Sequence, residues 1–231
     1  MRNPKSQTPN PESPISNLQP PTSNLQSPIL RLGVIGGTFD PPHCGHLVLA
    51  ENGRVQLRLD RVLFVLAGQP PHKPDRPIAR ARHRVAMVEA AVADNPAFVL
   101  SRVDLDRPGP HYTVDMLALL QRQYPAAELF FLMGGDSLAQ FLAWRDPASI
   151  VRQARLAVMR RPGFEPDLAA LERAVPGLCE RLVWLDAPYL DIAASDLRRR
   201  AGDGLPLRYL VPPPVEAYIR EHRLYTVQGR V

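Results

Sequence analysis

The chain has 231 residues, 45% of them apolar and 22% charged, an ordinary globular composition with ample material for a hydrophobic core. The net charge of +5 suits anionic ligands. Scattered arginines and only 6% aromatic residues nevertheless argue against a nucleic-acid-binding protein. No apolar run reaches the roughly 18 residues of a membrane span, and the polar N-terminus has no signal-peptide core. With only Cys44 and Cys179 there is no disulfide framework, so a cytoplasmic protein without a membrane partner is expected.

Residues 1–28 are dense in Pro, Ser and Asn and repeat SNLQ, which predicts a disordered tail ahead of one domain over 29–231. Six short apolar runs then read as strands: LRLGVIGG, RVLFVLAG, AFVLSRVDL, ELFFLMGG, RLAVMRRPG and RLVWLD. Helical patterns lie between them: HLVLAENGRVQLRL, RARHRVAMVEAAVAD, TVDMLALLQRQY, DSLAQFLAWR and PDLAALERAV. Two more, SDLRRRAG and PPVEAYIREHRL, follow the last strand. This alternation predicts an α/β fold with a doubly wound, mostly parallel Rossmann-like sheet, helices on both faces and a small helical C-terminal part. Its ligand site belongs beyond the C-terminal strand ends.

The sequence lacks a G-x-x-x-x-G-K-[ST] loop, a G-x-G-x-x-G turn, H-E-x-x-H and G-x-S-x-G. Those absences disfavour P-loop, dinucleotide-dependent, zinc-protease and serine-hydrolase chemistry. The densest candidate site is GGTFDPPHCGH, where the first strand meets the first helix. Gly36 and Gly37 allow a tight turn and close ligand approach. His43 and His46, three apart at a helix start, should project together beside N–H groups that attract anions. A metal site from His43, Cys44 and His46 ranks lower, because no carboxylate completes it.

Lysine occurs only at Lys5 and Lys73, against 26 arginines. The loop lysine Lys73 therefore reads as a required compact ammonium, with a plain surface lysine as the alternative. Thr113 at the start of TVDML and Asp136 after the FFLM strand read as helix N-caps. Trp144 is open between a core aromatic and a binding platform.

GGTFDPPHCGH resembles the (H/T)-x-G-H signature of the nucleotidyltransferase superfamily, in its nicotinate-nucleotide adenylyltransferase form. PPHKPD, DLDRPGPHYTVDML, FFLMGGDSLAQFLAWRD, MRRPG and YLVPPPVEAYIREHRLY are similar to that family's blocks in the same order. The resemblance implies adenylyl transfer from ATP to nicotinate mononucleotide, with Mg²⁺ bridging phosphates rather than held by the protein. His43, His46, Lys73 and Arg198 are then the catalytic set. Gly36, Gly37, Thr38, Phe39, Gly134, Asp136, Arg161 and Ser195 are implied at ATP, and Tyr112, Thr113 and Trp144 at nicotinate mononucleotide.

His111 receives no role in this reading. One block departs: LDIAASDLRR places Ala193 and Ala194 where the family usually has hydroxyl residues, which predicts weaker ATP affinity. A pantetheine-phosphate-type adenylyltransferase and a non-catalytic nucleotide-binding homologue are the competing readings. Homo-oligomerisation is left open.

Overall fold

The computed structural model describes residues 30–68, 78–160, 163 and 165–226. The expected tail over 1–28 lies outside them. Six strands form the sheet: β1 (Arg31–Gly37), β2 (Arg61–Leu66), β3 (Phe98–Ser101), β4 (Glu128–Gly134), β5 (Arg155–Met159) and β6 (Leu182–Leu185). All pair in parallel, in the order β3-β2-β1-β4-β5-β6. Each predicted strand is present. The chain winds outward from β1 in one direction and then returns to its other side, so the strand order reverses between β1 and β4. That reversal opens a crevice beyond their C-terminal ends, where open α/β sheets bind ligands.

Successive side chains on a strand point to opposite faces, and the core divides accordingly. Leu63, Val65, Leu129, Phe131, Leu156 and Val158 pack on one face with α3 (Thr113–Gln123) and α5 (Pro147–Gln153). Val62, Phe64, Leu66, Phe130, Leu132 and Ala157 pack on the other with α1 (Cys44–Gln56) and α2 (Ala81–Val92). Phe64 and Phe130 are fully buried, and each contributes about 1.5–3 kcal/mol by leaving water. Gly53 lets α1 lie close to the sheet, since a Cβ there would stand 3.0 Å from the Leu132 side chain. A third cluster joins the far side of α2 to α8 (Ala194–Gly202) and α9 (Pro213–Glu221) through Met87, Leu197, Val215 and Ile219. This is the expected helical C-terminal part.

The helical pattern DSLAQFLAWR does not form one helix. It breaks into α4 (Gly135–Ala139) and a 3₁₀ turn over Phe141–Ala143. The tighter turn seats Phe141 in the core and leaves Trp144 in extended backbone. PDLAALERAV shortens to α6 (Leu168–Ala174). Two helices had no sequence expectation, α5 and α7 (Leu178–Arg181), because both are too short for a 3.6-residue period to register. For α5 a local signal existed: Asp146 caps it by accepting from the Ser149 N–H at 3.0 Å, with Pro147 at the first helical position.

Candidate active site

The loop leaving β1 turns at Phe39, whose φ is 47°; neither Gly36 nor Gly37 has positive φ. The glycines serve by lacking a side chain instead, for a Cβ on Gly37 would meet the Phe39 ring at 3.1 Å. Phe39 itself is 2% exposed, edge-on to His46 at 5.0 Å and tilted on Phe64 at 5.7 Å. Its side chain is thus core beneath the site, and only its backbone is placed to meet a ligand.

His43 is the N-cap of α1, and its ring stacks on His46 with centroids 3.7 Å apart. The three-residue spacing does bring the imidazoles together. The His43 N–H donates to His46 Nδ1 at 3.1 Å, so the neutral His46 ring carries its proton on Nε2, as a donor. His43 is buried, and burial pushes its pKa down to about 4. Its Nδ1 is a buried polar atom without a protein hydrogen-bond partner. Sequence reasoning missed Gly45: a Cβ there would stand 3.1 Å from that nitrogen, so the glycine in H-x-G-H lets the ring fold back over the helix start.

Asp40 anchors this loop from below. It is 3% exposed, accepts from Tyr225 Oη at 2.7 Å, and receives the Ala79 N–H at 3.4 Å. Burial and the Asp40 charge both raise the Tyr225 pKa, so the phenol keeps its proton. Arg198, on α8, donates Nη1 to the Asp40 carbonyl at 2.7 Å and stands 3.9 Å from its carboxylate. The arginine predicted to reach phosphates is therefore held against the histidine loop.

A cavity of about 280 Å³ opens beside the loop. Gly36 and Gly37 line it from the end of β1 and Thr38 from the loop after it, with Tyr112, Thr113 and Trp144 across the crevice. Six residues predicted for two substrates thus share one space. Tyr112, rather than Thr113, is the N-cap of α3, with Thr113 in the first turn. That first turn has N–H groups without intrahelical acceptors, aimed out of the helix start. Trp144 packs edge-to-face on Phe131 and against Phe141 while also lining the cavity.

Gly134, not Asp136, caps α4; Asp136 is exposed in its first turn. Ala193 likewise caps α8, with Ser195 exposed in the first turn. Both caps fall upstream of the expected residues because the preceding backbone is extended, and the helix starts where that ends. Lys73 and Arg161 lie outside the described residues.

The cavity also holds residues that sequence reasoning passed over. Arg145 places its guanidinium carbon 4.6 Å over the Tyr112 ring. Asp104 is 3% exposed and accepts twice from Arg107, at 2.7 and 3.0 Å. Burial pushes its carboxyl up, against the pull of that arginine. His111, given no role from sequence, is buried in the wall with Nε2 3.2 Å from the Arg107 carbonyl. Among the described residues no three His, Cys, Asp or Glu side chains converge on a metal position.

A parallel sheet whose strand order reverses beside paired imidazoles at a helix start defines an α/β nucleotidyltransferase, and residues 34–200 match the cytidylyltransferase-like family model. Curated relatives narrow the class. The "Probable nicotinate-nucleotide adenylyltransferase" of Thermomicrobium roseum is 52% identical over 195 residues, 84% of this chain and 91% of that protein. The same-named protein of Thermus thermophilus is 43% identical over 85% of this chain and all of its own length. The chain belongs to the nicotinate-nucleotide adenylyltransferase family. In fold it is similar to a Plasmodium falciparum nicotinic acid mononucleotide adenylyltransferase complexed with NaAD. That likeness has a TM-score of 0.69 at 18% identity, covering 85% of this chain and 97% of that one.

Proposed function

We propose that this protein transfers the adenylyl group of ATP to nicotinate mononucleotide, giving nicotinate adenine dinucleotide and pyrophosphate. The observation that carries the reading is the stacked His43–His46 pair at the start of α1, beside a cavity at the β1–β4 reversal. The donor set of imidazoles, guanidinium and helix N–H groups fits a polyphosphate. Mg²⁺ enters with ATP as part of the substrate and offsets its charge.

A phosphate oxygen of nicotinate mononucleotide attacks the α-phosphorus of ATP. The new P–O bond forms as the bond from the α-phosphorus to the bridging oxygen breaks, and pyrophosphate leaves. The nucleophile is already anionic at neutral pH, so no general base is needed; positioning and charge stabilisation suffice. His46 donates from Nε2 to the transferring phosphate, and His43, with Nδ1 turned in to the start of α1, meets the same polyphosphate through Nε2. Lys73 and Arg198 offset the charge that develops on the leaving pyrophosphate. Gly36, Gly37, Thr38 and the Phe39 backbone cradle ATP, with Gly134, Asp136, Arg161 and Ser195 at its adenosine and phosphates. Tyr112, Thr113 and Trp144 receive the pyridine ring and its carboxylate. We place this activity in the cytoplasm; no described helix is long and apolar enough to cross a membrane.

The test is pyrophosphate release from Mg·ATP with nicotinate or nicotinamide mononucleotide, together with mass identification of the dinucleotide. Rapid release with the nicotinate substrate is expected. ATP binding without release from either would favour a non-catalytic homologue instead.

A further inference from the structure

Arg84 lies in the first turn of α2, in a stretch that reads from sequence as an ordinary amphipathic helix. Its side chain is 2% exposed. The guanidinium donates to four backbone carbonyls: Nε to Ala79 at 2.9 Å, Nη1 to Thr38 at 3.1 Å and Ala67 at 2.7 Å, and Nη2 to Gly68 at 3.1 Å. These carbonyls come from three places: the loop after β1, the end of β2, and the segment entering α2. Thr38 and Ala67 line the cavity, and the His111 ring rests against Gly68.

We propose that Arg84 is a positioning residue for adenylyl transfer, its planar fork setting the backbone at the mouths of β1 and β2. The inference rests on the function proposed above. Each carbonyl taken by Arg84 is turned into the protein interior rather than toward an anionic substrate. In a planar trans peptide the next N–H points the opposite way, so the Phe39 and Gly68 N–H groups point away from the arginine. Carbonyl oxygens at these points would repel phosphates, whereas N–H groups attract them. The task needs a rigid fork with five donors; a lysine ammonium is a compact point charge with three and cannot span four carbonyls from three segments.

The experiment compares the wild type, Arg84→Lys and Arg181→Lys by kcat, by KM for both substrates, and by thermal melting. Arg181 also donates to backbone carbonyls, those of Val151 and Arg152, but away from the cavity. Arg84→Lys should lower kcat about 100-fold, the scale of an ångström-level misplacement, while still melting cooperatively above assay temperature. Arg181→Lys should lower the melting temperature and keep kcat. Unchanged kcat and KM in folded Arg84→Lys would overturn the proposal, as would a loss that disappears once rates are normalised to folded protein.

If Arg84→Lys does not fold, amide exchange in the wild type decides. Exchange at Phe39 and Gly68 should slow on adding Mg·ATP, and unchanged exchange overturns the inference. A wild type that turns over while either test fails leaves the proposed function standing and removes only the role of Arg84. No wild-type turnover removes both.

Discussion

At His46 one ring nitrogen closes the start of α1 by accepting from the His43 N–H, while the other carries the donor proton. His46→Ala should therefore lower kcat by about 10²–10³, the cost of one preorganised donor to developing charge; near-normal turnover in steady-state pyrophosphate release would refute the role. His43 makes a pH prediction. The unfolded chain takes up its proton near the ordinary histidine value of 6.5 and the folded protein, where the ring is buried, only near 4. Between these values the unfolded state binds more protons, so stability rises with pH. The contribution is complete above about pH 6.5 and is lost on acidification toward 4, by roughly 3 kcal/mol at most. Urea unfolding from pH 4 to 7 should show that slope, and His43→Asn should flatten it. Equal slopes in the two proteins would contradict the burial argument.

Helix starts are the functional parts among the elements. α1 and α3 both begin at the crevice, and α8 brings Arg198 to the same loop. The start of α8 also carries Ala193 and Ala194, the departure noted in the sequence. Its N-cap is Ala193, which has no side-chain oxygen for the N–H groups of the first turn. Ala193→Ser should stabilise the protein by about 0.5–2 kcal/mol, read as a rise in melting temperature. With Ala194→Ser added, KM for ATP should fall as the new hydroxyls meet phosphate oxygens; an unchanged or higher KM would show that the backbone N–H groups already suffice. Both alanines were visible in the sequence, but the cap position was not. Helix starts depend on where the preceding backbone leaves its extended path, and tertiary packing decides that.

Across the whole molecule, the C-terminal part is tied to the first loop through a buried polar contact between residues 185 apart, Tyr225 Oη to Asp40. Tyr225→Phe leaves a buried carboxylate short of one donor and should cost about 1–3 kcal/mol. Because Arg198 holds the same residue, the variant should also raise KM for ATP. Thermal melting and steady-state kinetics check the two effects; loss of neither would mean that the C-terminal helices merely cover α2.

The features legible in the amino-acid order are local or periodic. Short apolar runs and helical stripes foretold all six strands and the two-sided helical cover, because a strand buried on both faces is apolar along its length and a helix buried on one face is apolar at every third and fourth residue. The His43–His46 pair was legible for the same reason, since three residues on a helix start make one side. The tertiary structure alone decided the Arg84 fork, the Asp40–Tyr225 anchor and the placement of Asp104 and His111 in the cavity wall. Most of these residues meet partners brought close only by the strand-order reversal and the return of the C-terminal helices. A buried arginine on an amphipathic helix looks in sequence like any solvated one, because its four acceptors are backbone carbonyls, which every residue carries.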